Sequence, residues 1–585
     1  MFGTQEIRAG RLVAIGAIVL AACVQAAPAQ QAPQLSDVEL DAKKQLVIWD
    51  AEHVAFKIEK HFGVGLFDAL ADDSKPVTAL ARPGFKGHLL SGDSTEKRVS
   101  QISSRSRSVD EGAKPKEANA AAVFGHMTEL YKRLGFVDRY RLRVLKLRQI
   151  GDAPQRWDAA LLFSVAGRDA AGRPIEIDVH YAAEFRVETP EEITTTAAVL
   201  SKLSVTAETI RQGDRMLFEE VTARRGLSRL GLIDNWKLPS EKVREFRFQI
   251  AVEDFNGDGW LDIAVGSLDG TPYLLRSQDG KKFENVATQL GLKKGLRAPR
   301  PILKHTLAGW IDYDNDADPD LLLGSRLYRN DDGKRFVDVT ATSGLRISRV
   351  PLGTVVFDYD LDGLLDIYIV YLKDDMRRSR MPNRPWVGDV ESGGQNALWR
   401  NLGDGRFKDV TRETHAGGGP QQSFAAAALF FNDDIYPDLY IANDFGTNVL
   451  LIGSADGTFR DATGETGIGD YSTSMGVFAG HLNHDDKPEI YVANMYSKMG
   501  RRIISFVGPD DYPEGVYPQI RGSCAGNRLY AVQSDGSFAE RGDDAGVSHV
   551  GWAYAPTMVD VDGDGLNDLY ATTGFMSADR DEPDG

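Results

Sequence analysis

Residues 254–267 read DFNGDGWLDIAVGS, with oxygen-bearing side chains at the first, third, fifth and ninth places of a short loop and an apolar run directly after it. Working outward, the same pattern returns as DYDNDADPDLLLGS at 312–325, DYDLDGLLDIYIVY at 358–371 and DVDGDGLNDLYATT at 560–573. Side chains at alternate places of a tight loop converge on one point. The seventh residue can add its backbone carbonyl, and the ninth is read as closing the shell. This assigns Asp254, Asn256, Asp258, Trp260 and Asp262 to the first loop, Asp312, Asp314, Asp316, Asp318 and Asp320 to the second, Asp358, Asp360, Asp362, Leu364 and Asp366 to the third, and Asp560, Asp562, Asp564, Leu566 and Asp568 to the last. An oxygen-only shell suits a hard cation that takes six to eight ligands, which points to Ca²⁺ at four sites rather than to zinc or copper. Asp, Asn and Gly also favour plain turns, but turn-making does not require carboxylates at fixed odd spacing. Four such loops bring acidic groups close enough to repel strongly unless a cation intervenes.

Two further copies are degraded. Phe430–Asp438 lacks the first oxygen, and His481–Glu489 has imidazole in its place. Both still precede strand-like runs, so they are expected to keep the fold with weak or absent metal, although His481 and His484 leave a transition-metal site open. A second signal alternates with the loops: Phe218, Phe283, Phe336, Phe407, Phe459 and Phe538 each open a short strand, and the last four follow an Asp-Gly turn within a few residues. Asp-Gly between strands is a hairpin signal. Each unit is thus strand, acidic loop, strand, hairpin, strand, a mainly β reading that points to a β-propeller over 213–585.

Signatures such as DFNGDGWLDIAVGS, NALWRNLGDGRFKDVT and DYDLDGLLDIYIVY resemble the FG-GAP/VCBS repeat of integrin α-subunit propellers and of proteins akin to cartilage acidic protein. The resemblance implies six or seven blades, Ca²⁺ held by the loop aspartates, and a role in binding or adhesion. Six units are countable, where seven blades are common in the family.

At 585 residues the chain is long enough for two or three folded units, and 42% hydrophobic with 26% charged residues is a globular composition. A net charge of -17 excludes a duplex nucleic-acid binder, which needs a basic footprint. Arg8 and Arg11 precede an apolar run, Leu12 to Ala22, with the layout of a secretory signal over 1–22. The run ends Leu20-Ala21-Ala22-Cys23, which resembles a lipobox, making Cys23 the candidate lipidation site. Cleavage near Ala27-Pro28-Ala29 would release a soluble protein instead. The expected location is the periplasm or the cell surface through a lipid anchor, or secretion. An Ala/Pro/Gln-rich tether follows over 23–35. Residues 36–212 read as a small α+β domain. Ser36 to Glu39 has capping-box spacing, and Leu40, Val47, Ile48, Ala51, Ala55, Ile58 and Phe62 repeat at helical period until Gly63. Residues 90–122 lack periodicity and are expected to be a mobile loop. Strand-like runs then suggest a helix on a four-stranded sheet, with Ile175, Ile177, Val179 and Tyr181 facing the core.

Two insertions break the repeat, 371–395 and 497–525, and both combine arginines with aromatics. Arg377, Arg378, Trp386, Arg501, Arg502 and Tyr517 are therefore the candidate contacts for a protein or carbohydrate ligand, an anionic one included. The competing reading is that these loops tie down neighbouring parts of the chain. No nucleophile elbow, HExxH or phosphate loop is present. A binding module is the favoured function, with a polysaccharide lyase or hydrolase as the alternative.

Overall fold

The computed structural model describes residues 40–151, 156–230, 248–267, 270–293, 307–347, 351–372, 394–482, 485, 487–496 and 498–574. The signal segment, the tether, Cys23, Arg377, Arg378, Trp386 and His484 lie outside these residues.

The first part packs helices on one large sheet. Helix α1 (Ala42–Lys57) starts at Asp41, whose side chain accepts hydrogen bonds from the Lys43 and Lys44 backbone N–H groups. It passes through a π-helical turn, Ile58–Phe62, directly into α2 (Gly63–Ala71). The helix was expected to stop at Gly63 and does not. Gly63 and Gly65 serve close approach instead: a Cβ on Gly65 would overlap the Thr195 carbonyl. The sheet has eight strands rather than four: β1 (Ala81–Ser91), β2 (Thr95–Val99), β3 (Ile102–Ser108), β4 (Lys114–Ala118), β5 (Phe136–Gln149), β6 (Arg156–Arg168), β7 (Pro174–Arg186) and β8 (Leu200–Gly213). Its main order is β2-β3-β8-β7-β6-β5, and β1 pairs parallel with β8 and antiparallel with β4. Helix α3 (Ala120–Tyr131) follows β4. Segment 90–122 is therefore ordered β-structure rather than a mobile loop. Its strands lie at the sheet's margin with polar, mostly exposed side chains, so backbone pairing holds them without an apolar alternation. Ile175, Ile177, Val179 and Tyr181 are buried against Val54, Ile58, Phe62 and Phe124 in one core.

The second part is a run of antiparallel meanders. The first is β9 (Phe248–Glu253), β10 (Asp262–Ser267), β11 (Tyr273–Gln278) and β12 (Lys282–Asn285); the second is β13 (Ala308–Ile311), β14 (Asp320–Leu323), β15 (Arg326–Asp331) and β16 (Arg335–Asp338). The third is β17 (Pro351–Phe357), β18 (Asp366–Tyr371), β19 (Ala397–Asn401) and β20 (Phe407–Asp409). The fourth, β21 (Ser423–Leu429), β22 (Asp438–Thr447), β23 (Val449–Gly453) and β24 (Phe459–Asp461), joins the fifth, β25 (Tyr471–Gly480), β26 (Glu489–Asn494), β27 (Arg528–Val532) and β28 (Phe538–Glu540), through pairing of β22 with β25. A sixth unit contributes β29 (Ala553–Val559) and β30 (Asp568–Thr573). The first strands β9, β13, β17, β21, β25 and β29 pack side by side in that order.

The insertion between β26 and β27 joins the two parts. Its helices α4 (Lys498–Ile504) and α5 (Val516–Cys524), with the stretch between them, bury Ile503, Val507, Tyr512, Val516 and Ile520 against Leu40 and Ile48. Arg502 is 4% exposed and reaches Glu52 at 2.6 and 2.9 Å, Glu59 at 3.3 Å and the Val144 carbonyl at 3.1 Å. Arg502 is thus a buried clamp and not a surface contact for a partner. Tyr517 packs half-buried against the same cluster, and Arg501 is one-third exposed near Asp543. Arg502, with the apolar residues of this insertion, fastens the first domain to the repeats. Cys524 is buried in α5, where desolvation pushes its thiol up to about 12.

Candidate metal centres

Each full acidic loop is wound by its own first aspartate. Asp254 accepts from the Asp258 and Gly259 N–H groups (3.1 and 2.7 Å), Asp312 from Asp316 and Ala317 (both 3.1 Å), Asp358 from Asp362 and Gly363 (3.1 and 2.9 Å), and Asp560 from Gly563, Asp564 and Gly565 (2.7, 3.1 and 2.9 Å). Winding that tightly needs left-handed backbone at the fourth and sixth places. Gly259, Gly363 and Gly565 supply the sixth at φ 85, 86 and 89°, whereas the second loop puts Ala317 there at φ 71°. The fifth-place acid then accepts from the seventh residue's N–H: Trp260 on Asp258 at 2.9 Å, Asp318 on Asp316 at 3.0 Å, Leu364 on Asp362 at 3.0 Å, Leu566 on Asp564 at 2.9 Å.

This winding brings three carboxylates of Asp312, Asp314 and Asp316, of Asp358, Asp360 and Asp366, and of Asp560, Asp562 and Asp564 within 4.8 Å of one another. The first loop has Asn256 at its third place, and its carboxylates form no such trio among the described residues. Asp262 and Asp366 are fully buried among these carboxylates. Burial and then the neighbouring carboxylates raise the Asp314 acid above its usual range. Asp360 is raised chiefly by burial, opposed by Arg400, whose guanidinium lies 2.8 Å from Asp360 and 3.0 Å from Asp362. A converging set of carboxylate oxygens is a donor set that fits a hard divalent cation.

The ninth place also has a structural job beside the ligand role read in the sequence, and Asp366 stands in the third loop's carboxylate trio as well. Asp320 accepts from the Tyr313 N–H (3.1 Å) and the Asn330 N–H (2.7 Å), and Asp366 from Tyr359 (3.2 Å) and Asn401 (2.7 Å). Asp438, in the loop that starts with Phe430, accepts from Phe431 and Gly453, both at 2.9 Å. Each of these acids is fully buried and staples its loop to the third strand of its own unit. Because the degraded loop keeps the staple, the ninth acid holds the fold whether or not a cation sits nearby. Its burial has an electrostatic cost: desolvation pushes Asp320 up to about 8, Asp366 to about 7, and Asp262 and Asp438 to about 6.

The first four loops are also covered by the next unit. Rings at the loop's second place meet the next unit's strand phenylalanine: Phe255 with Phe336 (5.6 Å), Tyr313 with Phe407 (6.2 Å), Tyr359 with Phe459 (6.3 Å), Phe431 with Phe538 (5.0 Å). Asn330 and Asn401 donate from Nδ2 to the Phe255 and Tyr313 carbonyls at 2.8 and 2.7 Å. The sequence reading missed these asparagines and Arg400. Their signal was the recurring Leu-aromatic-Arg-Asn of the third strands, at 327–330 and 398–401.

Fold and site together define a mainly β protein of tandem antiparallel units, five of them four-stranded among the described residues, with a full acidic loop in four. A model of the FG-GAP-like repeat matches residues 254–323 and 431–492, and the chain carries FG-GAP-like repeats. No curated protein matches the chain. Among solved structures it is similar to an Agrocybe aegerita lectin described as recognising non-reducing terminal N-acetylglucosamine, at 17% identity over 56% of this chain and 74% of that one, with a TM-score of 0.32. It is also similar to Trypanosoma rangeli sialidase in complex with the inhibitor DANA, at 10% identity over 64% of this chain and 54% of that one, with a TM-score of 0.18. Likeness at that level says nothing about what this chain binds.

Proposed function

We propose that the protein is an exported, calcium-binding β-propeller of six or seven blades that acts as a binding or scaffold module. The observation that carries the calcium reading is the third loop, where carboxylate oxygens of Asp358, Asp360 and Asp366 lie within 4.8 Å of one another. An anionic oxygen held out of water is stabilised by a cation. Asp312, Asp314 and Asp316, and Asp560, Asp562 and Asp564, offer the same donor chemistry. With the 497–525 insertion occupied in fastening the domains, the ligand surface, for a protein or a carbohydrate, falls to the 371–395 insertion with Arg377, Arg378 and Trp386. Export follows from the Arg8-to-Ala22 segment, with Cys23 as lipid anchor or, on later cleavage, release. No helix among the described residues is long and apolar enough to cross a membrane.

Metal analysis of the purified protein after dialysis against Ca²⁺ tests this reading. Bound calcium at three or four per chain is expected, and a chain that returns from dialysis without calcium would overturn it.

A further inference from the structure

Strand β5 carries a row of cations along one face. Leu142, Val144 and Leu147 enter the core, and Arg139, Arg141, Arg143, Lys146 and Arg148 lie on the opposite face. Register shifts at Val137/Arg139 and Val144/Lys146 keep the five together: they stand opposite Ala166, Ser164, Leu162, Ala160 and Asp158 of β6. Alternate residues of a strand are about 7 Å apart, so the row runs for about 30 Å.

Most of these charges have no acid to meet. Arg139 reaches Glu176 at 2.8 Å. Arg141, Arg143, Lys146 and Arg148 make no ion pair among the described residues. The other acids of this face stand on β7, two strands away, and hold other arginines: Asp178 takes Arg211 at 2.7 Å, and Glu184 takes Arg156 and Arg186 at 2.9 and 3.1 Å. Like charges therefore face one another, and Arg141 is held below its usual range by burial and then by Arg143 and Arg139. The repeats add to the row at Arg143, where Arg143 and Arg501 both act on His549. Charged side chains on an edge strand can serve to deter pairing. Here the edge is already covered at Val144, whose N–H donates to Glu59 at 2.8 Å and whose carbonyl accepts from Arg502 at 3.1 Å. Edge protection leaves a row of mutually repelling cations unexplained in a chain of net charge -17.

We propose that the β5 row binds a linear anionic polysaccharide, whose carboxylates or sulfates pair with successive cations. The row is one strand wide and is bordered by the acids of β7, which suits a single chain and repels a broad anionic surface such as a membrane or a duplex. No aromatic side chain lies on this face of β5 or β6, so single-stranded nucleic acid would find no stacking platform. The covered edge at Val144 stands against an added peptide strand. The inference rests on the first domain and is independent of the calcium reading and of the 371–395 insertion.

The probes are labelled dextran sulfate and oligogalacturonate, each titrated in EDTA into the full-length protein and read by fluorescence anisotropy. Saturable binding of at least one is expected, weakening as salt rises; the tighter probe tells sulfate from carboxylate. Lys146→Gln with Arg148→Gln, both exposed, is expected to weaken binding about tenfold. Lys281→Gln with Lys334→Gln removes the same charge from exposed positions of the repeats and should leave affinity unchanged. Arg141→Gln should weaken binding with no loss of melting temperature, because it relieves repulsion. Absence of saturable binding, equal affinity of the two double variants, or a destabilised Arg141→Gln would each overturn the proposal. Tighter binding to phosphatidylserine vesicles or to polyglutamate than to either glycan would overturn it as well, by making a membrane or an acidic peptide the partner.

Discussion

A carboxylate whose two oxygens each take a backbone N–H is a structural part whatever lies beside it, and Asp438 is such a residue in a loop that begins with Phe430. Asp438→Ala leaves two buried donors unsatisfied and is expected to cost about 3 kcal/mol in urea unfolding, with no change in bound calcium. Asp360→Ala should do the reverse, lowering the calcium count by one while the chelated protein unfolds as the parent does. Equal behaviour of the two variants would merge roles that the geometry separates. The sequence showed which residues gather at each loop, but the stapling role of the ninth acid was not legible because only the folded chain brings the third-strand N–H to it. The same acids set a pH dependence. Asp320, Asp366 and Asp262 bind protons in the folded chain up to about 8, 7 and 6, against an ordinary 3.8. A raised folded value means stability that is present at low pH and lost as pH rises through 6 to 8. In chelator, the melting temperature of the repeats should therefore rise as pH falls from 8 to 6. With calcium supplying the positive charge that rise should shrink, and a chelated melt that does not vary over this range would contradict the burial of these acids.

Elements were readable where one face is buried and one is wet. β7 showed its alternation because Ile175, Ile177, Val179 and Tyr181 all enter the core. The marginal strands β2 to β4 bury little and left a polar stretch with no period. Gly63 read as a helix stop because glycine commonly ends helices, yet here it admits a neighbouring side chain, Leu142, to the helix surface. The 497–525 insertion misled in a similar way, since arginine beside aromatics suits a ligand surface and a domain clamp equally. Only its docking on α1 separates the two. Arg502→Met is expected to destabilise the protein by about 3–5 kcal/mol, because Glu52 and Glu59 lose their buried counter-charge. Its effect should be seen in urea unfolding, with bound calcium unchanged. A variant as stable as the parent would show that the clamp does not hold the domains.

At the scale of the whole molecule, the repeats stack so that each loop is finished by its neighbour: the next unit's phenylalanine covers the loop's second residue, and asparagines of the second and third units reach back to its carbonyl. A cation in one loop would therefore stiffen two units, and its effect should appear in cooperative unfolding of the repeats rather than in local fraying. The repeat period and the acidic loops were plain in the sequence because they recur. The fastening of the first domain to the repeats depends on packing between distant segments and was not. Thermal unfolding of the full-length protein in 1 mM Ca²⁺ and in EDTA tests the central claim most directly. Sites of the extracellular class, with dissociation constants of about 10⁻⁴ M, each add about 1 kcal/mol at this concentration. The account expects a melt several degrees higher in calcium. Superimposed curves would contradict it.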